Sequence, residues 1–191
     1  MVDLKKVQRA TRLLLEGLGE DPTRPGLKDT PRRVAQMWKE LVAGMDQRPE
    51  DVMTVIPVER YDEIVLVRDI PLVSICEHHL VPFIGRAHVA YLPHAKRVTG
   101  LSKLARIVEL EARKLQVQER LTAAIADDIM KTLRPRGTMV VIEAEHLCMT
   151  VRGVHKPGTV TVTSVVRGIF REKPATRAEA LMLLTGGRAR L

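Results

Sequence analysis

The side chains best suited to chemistry fall in two short stretches, Cys76-Glu77-His78-His79 and Glu145-His146-Leu147-Cys148. Cys76 and His79 have Cys-x2-His spacing, short enough for one turn of backbone to offer both to a single metal ion. Cys148 lies far along the chain on a segment that reads as a strand. Side chains two apart on a strand face the same side, so His146 and Cys148 enter one pocket together. Two thiolates and one imidazole make a soft three-ligand set suited to zinc. Three protein ligands leave a fourth position for water, which marks a catalytic rather than a structural site. Zinc brings the pKa of such a water to about 7. His78 and His146 are then left as proton carriers, in the range where imidazole titrates. Taken alone, the same residues also read as two buried small hydrophobes beside surface histidines, and the two readings stand level. A Cys76–Cys148 disulfide is disfavoured in a reducing compartment.

A second group is Gly100-Leu101-Ser102-Lys103-Leu104-Ala105-Arg106. Ser102 is a possible helix cap, with Lys103 and Arg106 in the first turns. Free N–H groups and nearby cations at a helix start suit a phosphate, although a solvated helix face explains the segment at least as simply. Arg152 adds a cation four residues after Cys148, and Arg32-Arg33 opens another helix. In Gln116-Val117-Gln118-Glu119-Arg120, a carboxylate at Glu119 could accept two hydrogens side by side, such as N1–H and the 2-amino group of guanine. Without further context, an exposed Glu–Arg helix start accounts for that stretch better.

These residues must be held by elements, and the period of apolar residues shows which. Residues 3–18 place Leu4, Val7, Leu14, Leu15 and Leu18 at helical spacing. A loop follows over 21–26, and Thr30-Pro31 is a good helix start, with Thr30 as cap. Val34, Trp38, Leu41, Val42 and Met45 form the expected buried stripe of that second helix. Residues 63–68 and 83–92 read as strands, 102–115 and 117–133 as helices, and 138–149 and 159–166 as strands. A last helix is expected from Thr176, where Thr176-Arg177-Ala178-Glu179 has capping-box spacing. The order implies an α+β fold, a four-stranded antiparallel sheet (ββααββ) with two helices on one face. Residues 1–50 form a helical hairpin extension, and residues 51–191 the main domain with its C-terminal helix. Such a sheet has two free edges that must be covered, charged or paired.

Composition narrows the function classes. With 45% hydrophobic and 28% charged residues, the chain is neither disordered nor fibrous. Aromatics are only 3%, which counts against a single-strand nucleic-acid binder that stacks bases on exposed rings. No apolar run approaches the roughly 20 residues of a membrane helix, and the N-terminus lacks the apolar block of a secretory signal. The reading is a soluble cytoplasmic protein with no nucleic-acid or membrane partner. Its net charge of +8 points to an anionic ligand.

The motifs together resemble type I GTP cyclohydrolase. The resemblance rests on Ser74-Ile75-Cys76-Glu77-His78-His79, Gly100-Leu101-Ser102-Lys103-Leu104-Ala105-Arg106-Ile107-Val108, Gln116-Val117-Gln118-Glu119-Arg120-Leu121 and His146-Leu147-Cys148-Met149-Thr150-Val151-Arg152-Gly153, in order and spacing. It extends to Thr30-Pro31-Arg32-Arg33-Val34, Thr161-Val162-Thr163-Ser164 and Thr176-Arg177, and covers about residues 10 to 184. It implies the tunnelling (T-fold) architecture. In that architecture sheets join edge to edge across subunits into a barrel, and two pentamers stack into a homodecamer with sites at subunit interfaces. It implies Zn2+ held by Cys76, His79 and Cys148, and conversion of GTP and water to 7,8-dihydroneopterin triphosphate and formate, the first step of tetrahydrofolate and pterin biosynthesis. Water activated by the metal would attack purine C8 while His146 protonates N7, with His78 the other proton carrier. Glu119 would clamp the guanine edge with Gln118 beside it, and Ser102 would lie near the ribose or phosphates. Lys103, Arg106 and Arg152, with Arg33 from a neighbouring subunit, would hold the triphosphate.

The chain departs from the family pattern at three places. Gln36 stands where some members carry a lysine, the His94–Arg97 connection is one residue longer, and the tail from Gly186 has no assignment. Two rival zinc readings are weaker. A nucleobase deaminase needs His-x-Glu with a downstream Pro-Cys-x-x-Cys, and the chain has no Cys-x-x-Cys. A nucleic-acid module with structural zinc needs four closing ligands. A T-fold relative with other purine chemistry remains open at the level of fold, but the zinc trio plus His146 favours the cyclohydrolase.

Overall fold

The protein is described by a computed structural model over residues 1–59, 61–94 and 97–186. The departure expected at the His94–Arg97 connection falls partly on Ala95 and Lys96, and the tail falls on 187–191; these lie outside the described residues. Helix α1 (Leu4–Gly17) starts at Asp3, whose carboxylate accepts the Lys6 N–H at 3.0 Å. Helix α2 (Thr30–Leu41) packs on α1. Thr30 is its first helical residue, not its cap: Asp29 holds that position, with helical dihedrals and no side-chain capping bond. The expected stripe is only partly buried. Of its members Val42 is buried, but Met45, beyond the end of the helix, is 62% exposed.

A 3-10 turn (Ala43–Asp46) and α3 (Pro49–Val52) lead to β1 (Val55–Pro57), β2 (Val65–Cys76), β3 (Pro82–Leu92) and β4 (Arg97–Thr99). Helix α4 (Leu101–Ala112), β5 (Leu115–Gln116) and α5 (Gln118–Leu133) come next. The chain closes with β6 (Gly137–His146), α6 (Leu147–Thr150), β7 (Val160–Gly168), α7 (Ile169–Glu172) and α8 (Pro174–Thr185). The main sheet has the order β5-β2-β3-β6-β7. Its four long strands are antiparallel, as expected, but a fifth, two-residue strand, β5, lies parallel to the end of β2. Two residues carry too little pattern for a period to be read. The small β1–β4 pair was not anticipated either.

Strand β2 runs eight residues beyond its expected end. A bulge between Val67 and Ile70, with Asp69 at φ +59°, bends the strand and resets its register before Pro71. Upstream of Ile75, β2 has no strand on its outer side among the described residues, so Pro71 costs no ladder bond there.

Helices cover both faces of the sheet, not one. Phe83, Ala87, Val89 and Tyr91 of β3 point to α4 and α5, where Leu104, Ile107 and Ile125 are fully buried. Ala90 and Leu92 point the other way, onto Ile169, Phe170 and Ala180 of α7 and α8. Each such buried Ile or Leu contributes roughly 1.5–3 kcal/mol. The turn onto the second face needs Gly168, at φ +57°, where a Cβ would lie 2.2 Å from the Arg136 carbonyl. Helix α8 begins at Pro174, so Thr176 is inside it and forms no capping box. Proline at the first turn already supplies the start.

Candidate metal centre and surrounding site

Three strand ends meet at one end of the sheet. Ile75, next to last in β2, pairs with Pro82 at the start of β3, and Phe83 pairs with His146 at the end of β6. Cys76 is 4% exposed, and its N–H donates to the Val81 carbonyl at 2.9 Å. The tight turn this closes leaves Glu77, His78 and His79 on the outside. Beyond His146, β6 has no partner on either side, since β7 reaches back only to Val160 opposite Glu145. The chain therefore leaves the sheet, and Cys148 sits on the one-turn helix α6, not on a strand.

That turn still delivers the convergence expected of Cys76 and Cys148. Donor atoms of Cys76, His146 and Cys148 lie within 4.8 Å of one another. The imidazole of His146 is the third member; His79 is outside this trio. Nε2 of His79 lies 2.8 Å from Nη1 of Arg152. A guanidinium only donates, so this nitrogen accepts, and the lone pair of His79 is directed at Arg152.

His146 is fixed on two sides. Its ring stacks on Phe83 with centroids 4.7 Å apart and planes 10° from parallel. Its Nε2 lies 2.8 Å from Oε1 of Gln118. The Gln118 amide cannot turn over, because its Nε2 donates to the carbonyls of Ile142 and Thr161, both at 3.0 Å. Oε1 therefore accepts, Nε2 of His146 carries the hydrogen, and Nδ1 is the nitrogen with a free lone pair. Gln118 is 1% exposed, so its polar atoms are engaged inside the chain. Phe83 was not singled out from the sequence; Gln118 was, but beside Glu119 at the guanine edge, and no local signal marks it as the partner of an imidazole 28 residues away.

Burial pushes the His146 pKa below the ordinary imidazole value, against the opposing charge of Glu119. Burial, then the neighbouring Cys76 sulfur, pushes the Cys148 thiol up. Two adjacent thiols beside an imidazole are a donor set that a divalent cation satisfies, and their softness suits zinc. The residues fit a metal of that kind.

The expected ligand-binding residues are spread around this point. Glu119 is exposed on the first turn of α5. Lys103 and Arg106 lie on the first turns of α4, whose N-cap is Gly100; Ser102 is the second helical residue and does not cap. Arg106 opens into a cleft of about 290 Å³ shared with Gln47, Glu109 and Arg113. Arg33 lies on α2, 3.8 Å from Asp29. Among the described residues nothing brings Arg33 to the thiols. A larger cleft, about 920 Å³, lies on the face that α8 half covers and includes Arg86, His88 and Glu143, but none of the expected site residues.

The family profile described as GTP cyclohydrolase I matches residues 7–185. GTP cyclohydrolase 1 of Carboxydothermus hydrogenoformans is 60% identical over 184 residues, covering 96% of each chain. The same enzyme of Pelotomaculum thermopropionicum is 59% identical over 186 residues, covering 97% of this chain and 99% of its own. Among solved structures, an archaeosine synthase QueF-Like in the apo form aligns with 57% of this chain and 97% of its own, at 13% identity and a TM-score of 0.48.

Proposed function

This chain belongs to the GTP cyclohydrolase I family and is a hydrolase, and from that premise we propose that it converts GTP and water to 7,8-dihydroneopterin triphosphate and formate at a zinc centre. The observation that carries the proposal is the meeting of Cys76, Cys148 and His146 within 4.8 Å, from residues widely separated in the chain. Zinc bound there supplies Lewis acidity and brings the pKa of a coordinated water to about 7.

Cys76 and Cys148 are the two sulfur donors. His79 is proposed as the third ligand, which requires it to part from Arg152. A triphosphate that draws Arg152 away would release it, coupling substrate arrival to completion of the site. The grouping of His146 with both thiols favours a second reading, in which His146 is the third donor through Nδ1. In the first reading His146, whose Nε2–H is held by Gln118, instead takes up a proton on Nδ1 and passes it to purine N7, and in both His78 is the exposed proton carrier. Glu119 accepts the N1–H and 2-amino hydrogens of guanine. Gln118 stands beside it and acts through His146. Ser102, Lys103, Arg106 and Arg152 take the ribose and triphosphate, with Arg33 from a neighbouring subunit.

Two features support assembly through sheet edges, in the T-fold manner, into a barrel and a decamer of two stacked pentamers. The outer edge of β7 presents exposed Val160 and Val162, and most of the outer edge of β2 is unpaired among the described residues. An arrangement that places a neighbour's α2 at the site would supply Arg33. No helix among the described residues is long and apolar enough to cross a membrane, and we assign the enzyme to the cytoplasm. Incubation of zinc-loaded protein with GTP should release formate and yield a fluorescent pterin after oxidation. Production of neither by folded, metal-loaded protein refutes the proposal.

A further inference from the structure

The turn that carries His78 and His79 and the first turn of α5 are joined by one side chain with no role in the chemistry above. Arg120 donates from Nε to Oε1 of Gln116 at 2.9 Å and from Nη2 to the Leu115 carbonyl at 2.8 Å. The same guanidinium forks onto both carboxylate oxygens of Glu77, with Nη1 3.4 Å from Oε1 and Nη2 on Oε2. Glu77 is tied a second time, its N–H donating to the Gln116 carbonyl at 3.0 Å. Gln116 is itself buried and held through its amide to the Glu111 carbonyl at 3.1 Å. These bonds close a ring: Glu77 backbone to Gln116, Gln116 side chain to Arg120, Arg120 to Glu77. Arg120 holds the Glu77 carboxyl below the usual carboxylate range.

We propose that Arg120 is a positioning residue, which through Glu77, Gln116 and Leu115 sets the place of Glu119 relative to the reaction centre and so controls recognition of the guanine edge. This rests on the role given to Glu119 above. The two side chains of the pair are 50% and 35% exposed, and exposed ion pairs contribute little to stability. A planar guanidinium with several fixed acceptors is nevertheless a rigid spacer, which a lysine cannot reproduce. Gln118, on the other side of Glu119, is locked independently by its four bonds to Ile142, Thr161, Thr163 and His146. Glu119 is exposed and lies between the two anchors. Loosening Arg120 therefore displaces Glu119, while Cys76 keeps its own bond to the Val81 carbonyl and His146 its bond to Gln118.

The test compares Arg120→Lys and Glu77→Gln with the unaltered enzyme for bound zinc, thermal midpoint and steady-state kinetics. The two substrates are GTP and inosine triphosphate, which lacks the 2-amino group. Arg120→Lys should keep zinc and midpoint, raise KM for GTP on the order of 10–100-fold, and move the GTP-to-inosine-triphosphate ratio of kcat/KM toward one. Glu77→Gln, which leaves Arg120 bonded to Gln116 and Leu115, should shift both in the same direction by less. An unchanged ratio in either folded variant, beside an unaltered enzyme that discriminates, overturns the inference. If Arg120→Lys fails to fold, Glu77→Gln decides alone. An unaltered enzyme that treats both substrates alike removes the Glu119 role instead, and the inference with it.

Discussion

Replacing Asp128 with asparagine should stabilise the protein above neutral pH and make little difference in acid. Asp128, on α5, has one carboxylate oxygen buried without a hydrogen-bond partner. The Glu111 carboxylate of α4, 4% exposed, stands beside it and is paired with Lys114. Burial first, then the Glu111 charge, raises the Asp128 pKa from 3.8 to about 7. The folded chain therefore keeps a proton between those values that the unfolded chain has released. Stability falls as pH rises through that window and levels off above it. At about 1.4 kcal/mol per pH unit, the window corresponds to an upper bound of about 4 kcal/mol. Partial exposure and solvent screening reduce this to ~1–2 kcal/mol. Asparagine keeps the shape of the neutral acid and has no proton to lose. Thermal unfolding of both proteins from pH 4 to 8.5 should show the variant several degrees higher at pH 8, at roughly 2–4 °C per kcal/mol, with the gap closing toward pH 4. An equal or lower midpoint for the variant at pH 8 refutes the assignment of a buried proton to Asp128.

The metal centre and the base clamp yield separate expectations. Cys148→Ser should lose zinc and turnover together, and full turnover with zinc retained would remove Cys148 from the ligand set. Comparing His79→Ala with His146→Ala by metal content separates the two ligand readings: the variant that loses zinc names the third donor. Glu119→Ala should leave zinc bound but weaken GTP binding by about 10²–10³-fold, the loss of two hydrogen bonds to a charged acceptor. Unchanged affinity for GTP would take Glu119 out of that role.

Much of the fold was legible because its core elements are long and regular. The stripe Leu121, Ile125, Ile129 and Leu133 marks α5 on sequence alone, and all four are fully buried. Legibility failed where tertiary partners, not local period, decide. Nothing in Ile169-Phe170-Arg171-Glu172 indicates which side of the sheet it covers; the side follows from the left-handed turn at Gly168 and from the apolar half of the second face, Ala90, Leu92 and Met139. The strand pattern in the sequence ends at Arg68, and Asp69 and Pro71 beyond it are poor strand residues. A bulge with Asp69 at φ +59° and an unpaired outer edge accommodate both.

The site was half legible for a related reason. Cys76 and Cys148 stood out as the chain's two sulfurs suited to a metal, but spacing favoured His79, its near neighbour in sequence, over His146. Proximity in sequence measures only the local turn, and that turn points outward here. Strand register decides which imidazole meets the thiols. Phe83 pairs with His146, and Pro82 pairs with Ile75, the residue before Cys76. The ends of β2 and β6 are therefore two strands apart at the same end of the sheet. Both outer neighbours of β6 stop at that level, so its chain must turn, and the turn of α6 folds Cys148 back beside Cys76. The convergence is thus a property of where three strands run out. A one-residue slip of β6 against β3 would reverse the faces of His146 and its neighbours, breaking up the cluster while every ligand-type residue remained in the sequence.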